Sequence, residues 1–377
     1  MSSSTDLSTA TGILTYIADT PFDSDTAVPI TGGFGNYVFR LHLRTPLHEQ
    51  DTVVFKHAKP YVPGWPTMAI SLDRQVYEVA ALRQVRERLP DTSLVTVPEV
   101  ILFDDVAHVI IMNDCGERAL NLKQLLQSSP PPDTIARQIG TALGEFLAWL
   151  HNRGSTDEEF LDFFARNEKG KLLSADVTYG RLVSTLTDAA PPLLAEPPLE
   201  VPREKLDIIG TVANDTWRAM QSTTETVVMG DFWPGNVLVA LQYNEEGIAT
   251  AIERIVVVDW ELAKSGLAGL DVGQFSAELH LLRSFHPASN DAASALLTSF
   301  LEAYRRTCDG DALTRKHVAK IALVHIGAHL VAWTPRVPWG NKEKVRELVQ
   351  RGIDYLVEGS YASEGYIRDS MIAALLR

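Results

Sequence analysis

Apolar residues alternate with polar ones early in this chain and recur at helical spacing later. The run Tyr37-Val-Phe-Arg-Leu-His-Leu alternates as a strand does, and residues 51–58 (Asp-Thr-Val-Val-Phe-Lys56-His-Ala) give a second strand. Residues 100–103 and 108–112 give two more, and residues 12–18 a short helix. Residues 71–89 predict a long helix, with Leu72, Val76, Val79 and Leu82 or Val85 at helical spacing. After residue 115 the pattern is mainly helical. Residues 135–152 place Ile139, Leu143, Phe146, Leu147 and Leu150 on one face, and 206–220, 292–308, 316–333 and 342–358 follow. A Pro-rich stretch, 191–202, links helical segments, and two strands within 227–259 interrupt them. No internal repeat is evident. The pattern predicts an α+β chain in two lobes: residues 1–114, a β-rich lobe with one long helix, and residues 115–377, a mainly helical lobe.

With 377 residues, 45% of them hydrophobic, and a mean hydropathy of −0.02, the chain has apolar material for both cores. Its net charge of −14 argues against a phosphate-backbone partner, so no nucleic acid is expected. An acidic balance suits a small cationic ligand, and equally plain solubility. Two cysteines, Cys115 and Cys308, cannot build a disulfide framework, and the Ser-rich start lacks the features of a signal peptide. A cytoplasmic location is therefore expected. Residues 321–333, the longest apolar candidate, hold two histidines and are too short to cross a bilayer, so no membrane partner is expected. A monomer or weak dimer is the expected state.

Candidate chemistry concentrates in residues 227–271. Val-Val-Met-Gly-Asp231-Phe-Trp-Pro-Gly-Asn236 is followed, after a turn-like interval, by Ile-Val-Val-Val-Asp259-Trp-Glu. An Asp, an Asn five residues later and a second Asp ending another strand form a set suited to phosphoryl transfer. Asp231 can receive the proton of an attacking hydroxyl, while Asn236 and Asp259 hold Mg²⁺ against phosphates. Pro234-Gly235 favours a turn that folds the amide back toward the carboxylate. Surface turns explain single Asp residues, but they explain this spaced trio poorly.

Other residues fit the same chemistry while also having plainer readings. Gly32, Gly33, Gly35 and Asn36 (Gly-Gly-Phe34-Gly-Asn) precede a strand, where glycines let backbone N–H groups approach a polyphosphate. A hairpin turn explains them too. Lys56 ends an apolar strand and needs a partner, for which Glu78 on the following helix is the natural choice. The pair can hold nucleotide phosphates, or be an edge-strand Lys and a solvated Glu. Asn113, Asp114 and Cys115 break a strand at the expected junction, and their backbone can serve an adenine ring or simply leave the strand. Asp271 is expected to accept loop N–H groups, and His151 to end its helix. His280, His286, His325 and His329 show no metal-ligand spacing with acidic partners. Trp333 and Trp339 flank prolines and can wall an aromatic or cationic ligand, or pack in the core.

Taken in order, the Gly loop, Lys56, Glu78, the Asp231–Asn236 loop and Asp259-Trp-Glu resemble the aminoglycoside phosphotransferase superfamily over nearly the whole chain. That resemblance implies a two-lobed, protein-kinase-like fold, with ATP and Mg²⁺ as cofactors and a small-molecule hydroxyl as acceptor. Phe-Lys56-His-Ala-Lys-Pro-Tyr and Trp65-Pro66 are similar to the methylthioribose kinases. Val-Met-x-Asp231-x-Trp-x-Gly-Asn236, Asp259-Trp-Glu-Leu and Ala-His-Leu-Val-x-Trp333 are similar to the fungal 4-hydroxytryptamine kinases of psilocybin biosynthesis. Met229 stands where the superfamily usually has a His, a departure that looks shared with the hydroxytryptamine kinases. The resemblance implies a cationic indole amine as acceptor, walled by Trp233, Glu278, Trp333 and Trp339. A methylthioribose-type sugar is the alternative acceptor, and a nucleotide-binding module without transfer is the alternative of another class.

Overall fold

The computed structural model of the chain describes residues 5–33, 35–90, 92–361 and 363–377. Phe34 of the Gly-rich loop and the first four residues of the Ser-rich start lie outside the described residues. The chain forms two compact units. The first comprises residues 1–92, 96–119 and 256–261, and the second residues 93–95, 120–255 and 262–377.

The first unit is built on an antiparallel sheet of β1 (Ser24–Pro29), β2 (Tyr37–Leu47), β3 (Gln50–His57), β4 (Val100–Asp104) and β5 (Val109–Asn113). Its spatial order is β1-β2-β3-β5-β4. The edge strand β1, Ser-Asp-Thr-Ala-Val-Pro, has no apolar alternation to reveal it, and its Pro29 is tolerated because it sits at an edge. Residue parity then sorts the side chains of the central strands. Phe39, Leu41, Val53, Phe55, Val109 and Ile111 point to one face and pack with Ile13 and Ile17 of helix α1 (Ala10–Ile17). Val54, Ile110 and Met112 point to the other and meet Val79 of α2 (Arg74–Arg88). Lys56 shares parity with Val54 and so faces α2. The buried stripe of α2 is Gln75, Glu78, Val79, Leu82 and Val85, whereas Val76, expected on the apolar face, is 47% exposed.

The second unit is mainly helical: α3 (Leu122–Ser128), α4 (Asp133–Thr156), α5 (Arg203–Ser222), α6 (Ala268–Phe285), α7 (Asn290–Thr307), α8 (Ala312–Ala332) and α9 (Lys342–Tyr361) are its main helices. Helix α4 packs along α7, and α8 packs on α6 and α9. Among these helices run two short antiparallel strands, Thr226–Val228 and Lys264–Gly266, and the longer strands Val237–Tyr243 and Ala249–Val257. Three sequence expectations change here. Helix α6 was not expected, because it is buried around nearly its whole circumference, polar residues such as Asp271, Glu278 and His280 included, and gives no amphipathic period. Helix α4 continues past His151 to Thr156, so His151 lies inside a buried helix rather than at its end. Helix α8 extends the apolar span at 321–333 toward its N-terminus, making it long enough to cross a membrane, yet 83% of its most apolar window is buried, as in a core helix.

Candidate active site

In the first unit, β3 delivers Lys56 and α2 delivers Glu78, and the chain returns through residues 256–261 to add Asp259 and Glu261. Lys56 Nζ donates to Glu78 Oε1 and to Asp259 Oδ1, both at 2.6 Å. Burial works against this ammonium, but Asp259, Glu78 and Glu261 outweigh it and hold its pKa above the ordinary lysine range. Burial pushes the Glu78 carboxyl upward, against the pull of Lys56. Asp259 follows an apolar strand and adopts a left-handed backbone, φ 67°, uncommon for a residue with a side chain.

Glu261 ties this carboxylate cluster to the Gly-rich loop. It accepts from Asn36 Nδ2 at 2.7 Å and from Arg74 Nε at 3.0 Å. Arg74 also donates to Gly35 O at 2.8 Å and Asn36 Oδ1 at 3.1 Å. A Cβ at Gly35 would stand 2.5 Å from Glu261 Oε1, so a side chain there would push that carboxylate oxygen aside. Glycines 32 and 33 have open space around them. One carboxylate oxygen each from Glu78, Asp259 and Glu261 lies within 4.8 Å of the others, and Glu78 Oε2 is buried with no hydrogen-bond partner. Hard oxygen donors suit a divalent cation such as Mg²⁺, but Lys56 and Arg74 already pair with these three carboxylates, and Asp259 is the most exposed of them. At the strand exit, Asp114 is engaged by Arg40 at 2.5 and 3.1 Å and by Thr52 at 2.8 Å. Asn113 pairs with Glu99 through backbone and side chain, and Cys115 is buried.

In the second unit, the strand Thr226–Val228 runs into Met229, Gly230 and Asp231. Asp271, in the first turn of α6, accepts from the Met229 N–H at 2.8 Å and the Gly230 N–H at 2.9 Å. Gly230 has φ 81°, and a Cβ there would stand 2.1 Å from Lys264 Nζ and 2.4 Å from Leu262 O. Only glycine meets both demands. Gln274, three residues after Asp271, donates to Asp231 Oδ1 at 2.7 Å. A 3₁₀ turn at Pro234–Asn236 brings Asn236 back, and its Nδ2 donates to Asp231 Oδ2 at 3.0 Å and to Asp231 O at 3.1 Å. Lys264 is buried beneath this loop, donating to Leu262 O at 2.9 Å. Burial pulls its ammonium down to about 8, with Asp271 and Asp231 opposing. His151, instead of ending a helix, bonds Tyr304 through Nδ1 at 2.8 Å and faces Asp271 at 3.4 Å.

Three of the four residues expected at the acceptor gather around one lysine. Lys123 Nζ lies 4.5 Å from the Trp339 ring centroid, 5.2 Å from that of Trp233 and 3.9 Å from Glu278 Oε2. Glu278 Oε1 is 2.8 Å from His329 Nε2, which supplies the acidic partner not expected for that histidine. Trp333 joins only indirectly. Its ring stacks on His329 at 6.3 Å, takes the Arg181 guanidinium at 4.2 Å and donates to Thr178. Sequence reasoning missed Arg74, Lys123, Glu261, Lys264 and Gln274. Asp271, Gln274 and Glu278 are spaced i, i+3, i+7, a helical face that was legible had residues 268–285 been read as a helix.

Residues 26–312 match the phosphotransferase enzyme family, APH. The chain is 31% identical to 4-hydroxytryptamine kinase of Psilocybe cubensis over 359 residues, 92% of each chain. It is 24% identical to methylthioribose kinase of Bacillus cereus (strain B4264) over 257 residues, 65% of this chain and 58% of the relative. Among solved structures, a choline/ethanolamine kinase family protein from Mesorhizobium loti aligns with a TM-score of 0.48 and 14% identity, covering 97% of this chain and 98% of its own. An Asp held by two side-chain amides, a buried Lys–Glu pair and a sequence match across most of the length agree: the chain belongs to the APH phosphotransferase family and is a small-molecule kinase.

Proposed function

We propose that this kinase phosphorylates the phenolic hydroxyl of a 4-hydroxytryptamine-type indole amine, using ATP and Mg²⁺. The observation that carries the substrate class is the grouping of Trp233, Trp339 and buried Glu278, aromatic faces beside a carboxylate, in a chain 31% identical to 4-hydroxytryptamine kinase. Indole rings stack on such faces, and an ammonium is drawn to the carboxylate.

Asp231 is the general base. Gln274 and Asn236 fix its carboxylate so that it orients the acceptor hydroxyl and takes its proton as attack begins. Asn236 spends its Nδ2 on Asp231, so Oδ1 is the atom it would offer a metal, and Asp259 would offer a carboxylate oxygen. Bound Mg²⁺ would neutralise charge on the phosphates. Lys56, positioned by Glu78, binds the α- and β-phosphates, and Gly32, Gly33, Gly35 and Asn36 present the loop to the nucleotide. The backbone of Asn113, Asp114 and Cys115 receives the adenine.

The test is a parallel assay of purified protein with ATP and Mg²⁺ on 4-hydroxytryptamine and methylthioribose. The indole should be preferred by at least about tenfold in kcat/KM, roughly the discrimination one well-matched contact gives. Faster phosphorylation of the sugar would overturn the assignment.

A further inference from the structure

We propose that Trp233, Trp339 and Glu278 form an ammonium-binding subsite for the acceptor's amine, and that Lys123 is a built-in cation which fills it until the acceptor displaces it. The proposal rests on the small-molecule kinase reading above and adds to it a residue that sets acceptor specificity.

Glu278 is 7% exposed, and its two oxygens are served unequally. Oε1 faces His329 at 2.8 Å, where a carboxylate requires Nε2 to be the donor. Oε2 is buried without a hydrogen bond, and Lys123 Nζ stands 3.9 Å away, beyond hydrogen-bonding distance. A buried carboxylate oxygen left this way is costly and favours a closer cation. Burial opposes ionisation of Glu278, but His329 and Lys123 outweigh it and keep the carboxyl below its usual range.

The aromatic walls are fixed in place. Trp339 stacks on Phe285 at 5.0 Å with 14° between planes, and Trp233 lies so close over Gly235 that a Cβ there would come within 2.2 Å of the ring. The cation between them is the movable part. Lys123 is 22% exposed, sits at the start of the seven-residue helix α3 and has a flexible four-carbon stem that can carry its charge into water. Two cations cannot share one carboxylate and two ring faces without repulsion, so an incoming ammonium must expel that of Lys123. A neutral ligand has no such exchange to make. The subsite is tied to Asp231 by a shared helix as well. Gln274, on Asp231, and Glu278 lie four residues apart on α6, about 6 Å along its axis. The amide that orients Asp231 and the carboxylate of the subsite thus project from neighbouring turns of one helix.

The experiment measures binding of tryptamine, which has the amine but no accepting hydroxyl, and of 3-ethylindole, which has neither. Calorimetry on the full chain compares wild type, Lys123→Met and the double variant Lys123→Met/Glu278→Gln, with melting temperatures confirming that each is folded. Lys123→Met should bind tryptamine about tenfold more tightly, the scale of one removed charge–π competitor, and 3-ethylindole within about twofold of wild type. Adding Glu278→Gln should abolish that gain. Unchanged tryptamine affinity in Lys123→Met, or equal tightening of both probes, would overturn the proposal. So would lost phosphoryl transfer at unchanged tryptamine affinity, which would assign Lys123 to the nucleotide. Turnover of 4-hydroxytryptamine on the same samples separates the two readings: no turnover with the binding pattern intact defeats the acceptor assignment and leaves the subsite standing.

Discussion

Gln274 donates its side-chain amide to Oδ1 of Asp231 at 2.7 Å, from a helix position three residues beyond the Asp271 that holds the preceding loop. The amide orients the carboxylate without touching its Oδ2. Removing it in Gln274→Ala should lower kcat about tenfold, the worth of one orienting hydrogen bond, with KM for ATP unchanged. Steady-state kinetics at saturating ATP read this directly, and an unaltered kcat would show that Asn236 suffices.

Asp231→Asn keeps the shape of the loop and removes the proposed base. Transfer to any accepted hydroxyl should fall by roughly 10³-fold, within the range for losing a general base, while ADP affinity stays within about twofold. Undiminished turnover would mean that another group takes the proton.

Gly230→Ala meets two penalties together. A Cβ is disfavoured at φ 81°, and it would press on Lys264 Nζ at 2.1 Å and Leu262 O at 2.4 Å. The sum of left-handed strain and overpacking predicts about 3 kcal/mol of destabilisation. Urea unfolding monitored by tryptophan fluorescence gives the number, and a loss below about 1 kcal/mol would mean that the loop re-forms elsewhere.

His317 Nε2 lies 2.9 Å from Glu225 Oε2, and Glu225 Oε1 accepts the Ala268 N–H at the start of α6 at 2.9 Å. Hydrogen bonding to Glu225 raises the imidazole pKa above its ordinary 6.5, with burial opposing. Burial would raise the Glu225 carboxyl, but His317 and the Ala268 N–H hold it below its ordinary 4.5. The histidine's contribution is complete below pH 6.5 and fades as pH rises through its raised folded value. The carboxylate's contribution is complete above pH 4.5 and fades as pH falls through its depressed value. His317→Gln should therefore cost about 0.5 kcal/mol at pH 5.5, as for a half-exposed pair, and nothing at pH 9. Denaturation at the two pH values checks it, and equal losses at both would remove the charge from the explanation.

Local physics made much of the site legible. Period-two alternation in β3 puts Lys56 on the same face as Val54, opposite Phe55, which is why it meets α2 and Glu78. Pro234-Gly235 announced the turn that returns Asn236 to Asp231. Other features left no such trace. Helix α6 is buried nearly all around, so its apolar residues show no amphipathic period, and Gln274 was hidden with it. Edge strand β1 carries no alternation because its side chains are mostly exposed.

The sequence by itself determined the family and most of the strands and helices, and it named Lys56, Glu78, Asp231, Asn236 and Asp259 as candidates for phosphoryl transfer, because these depend on backbone period, turn chemistry and short spacing. Tertiary structure alone decided that Glu261 joins Arg74 and Asn36 beside the Gly-rich loop, that His151 is interior, and that Lys123 stands between Trp233, Trp339 and Glu278. Those contacts join residues far apart along the chain. Packing and burial create them, and neither the spacing nor the identity of any one residue encodes which distant partner it will meet.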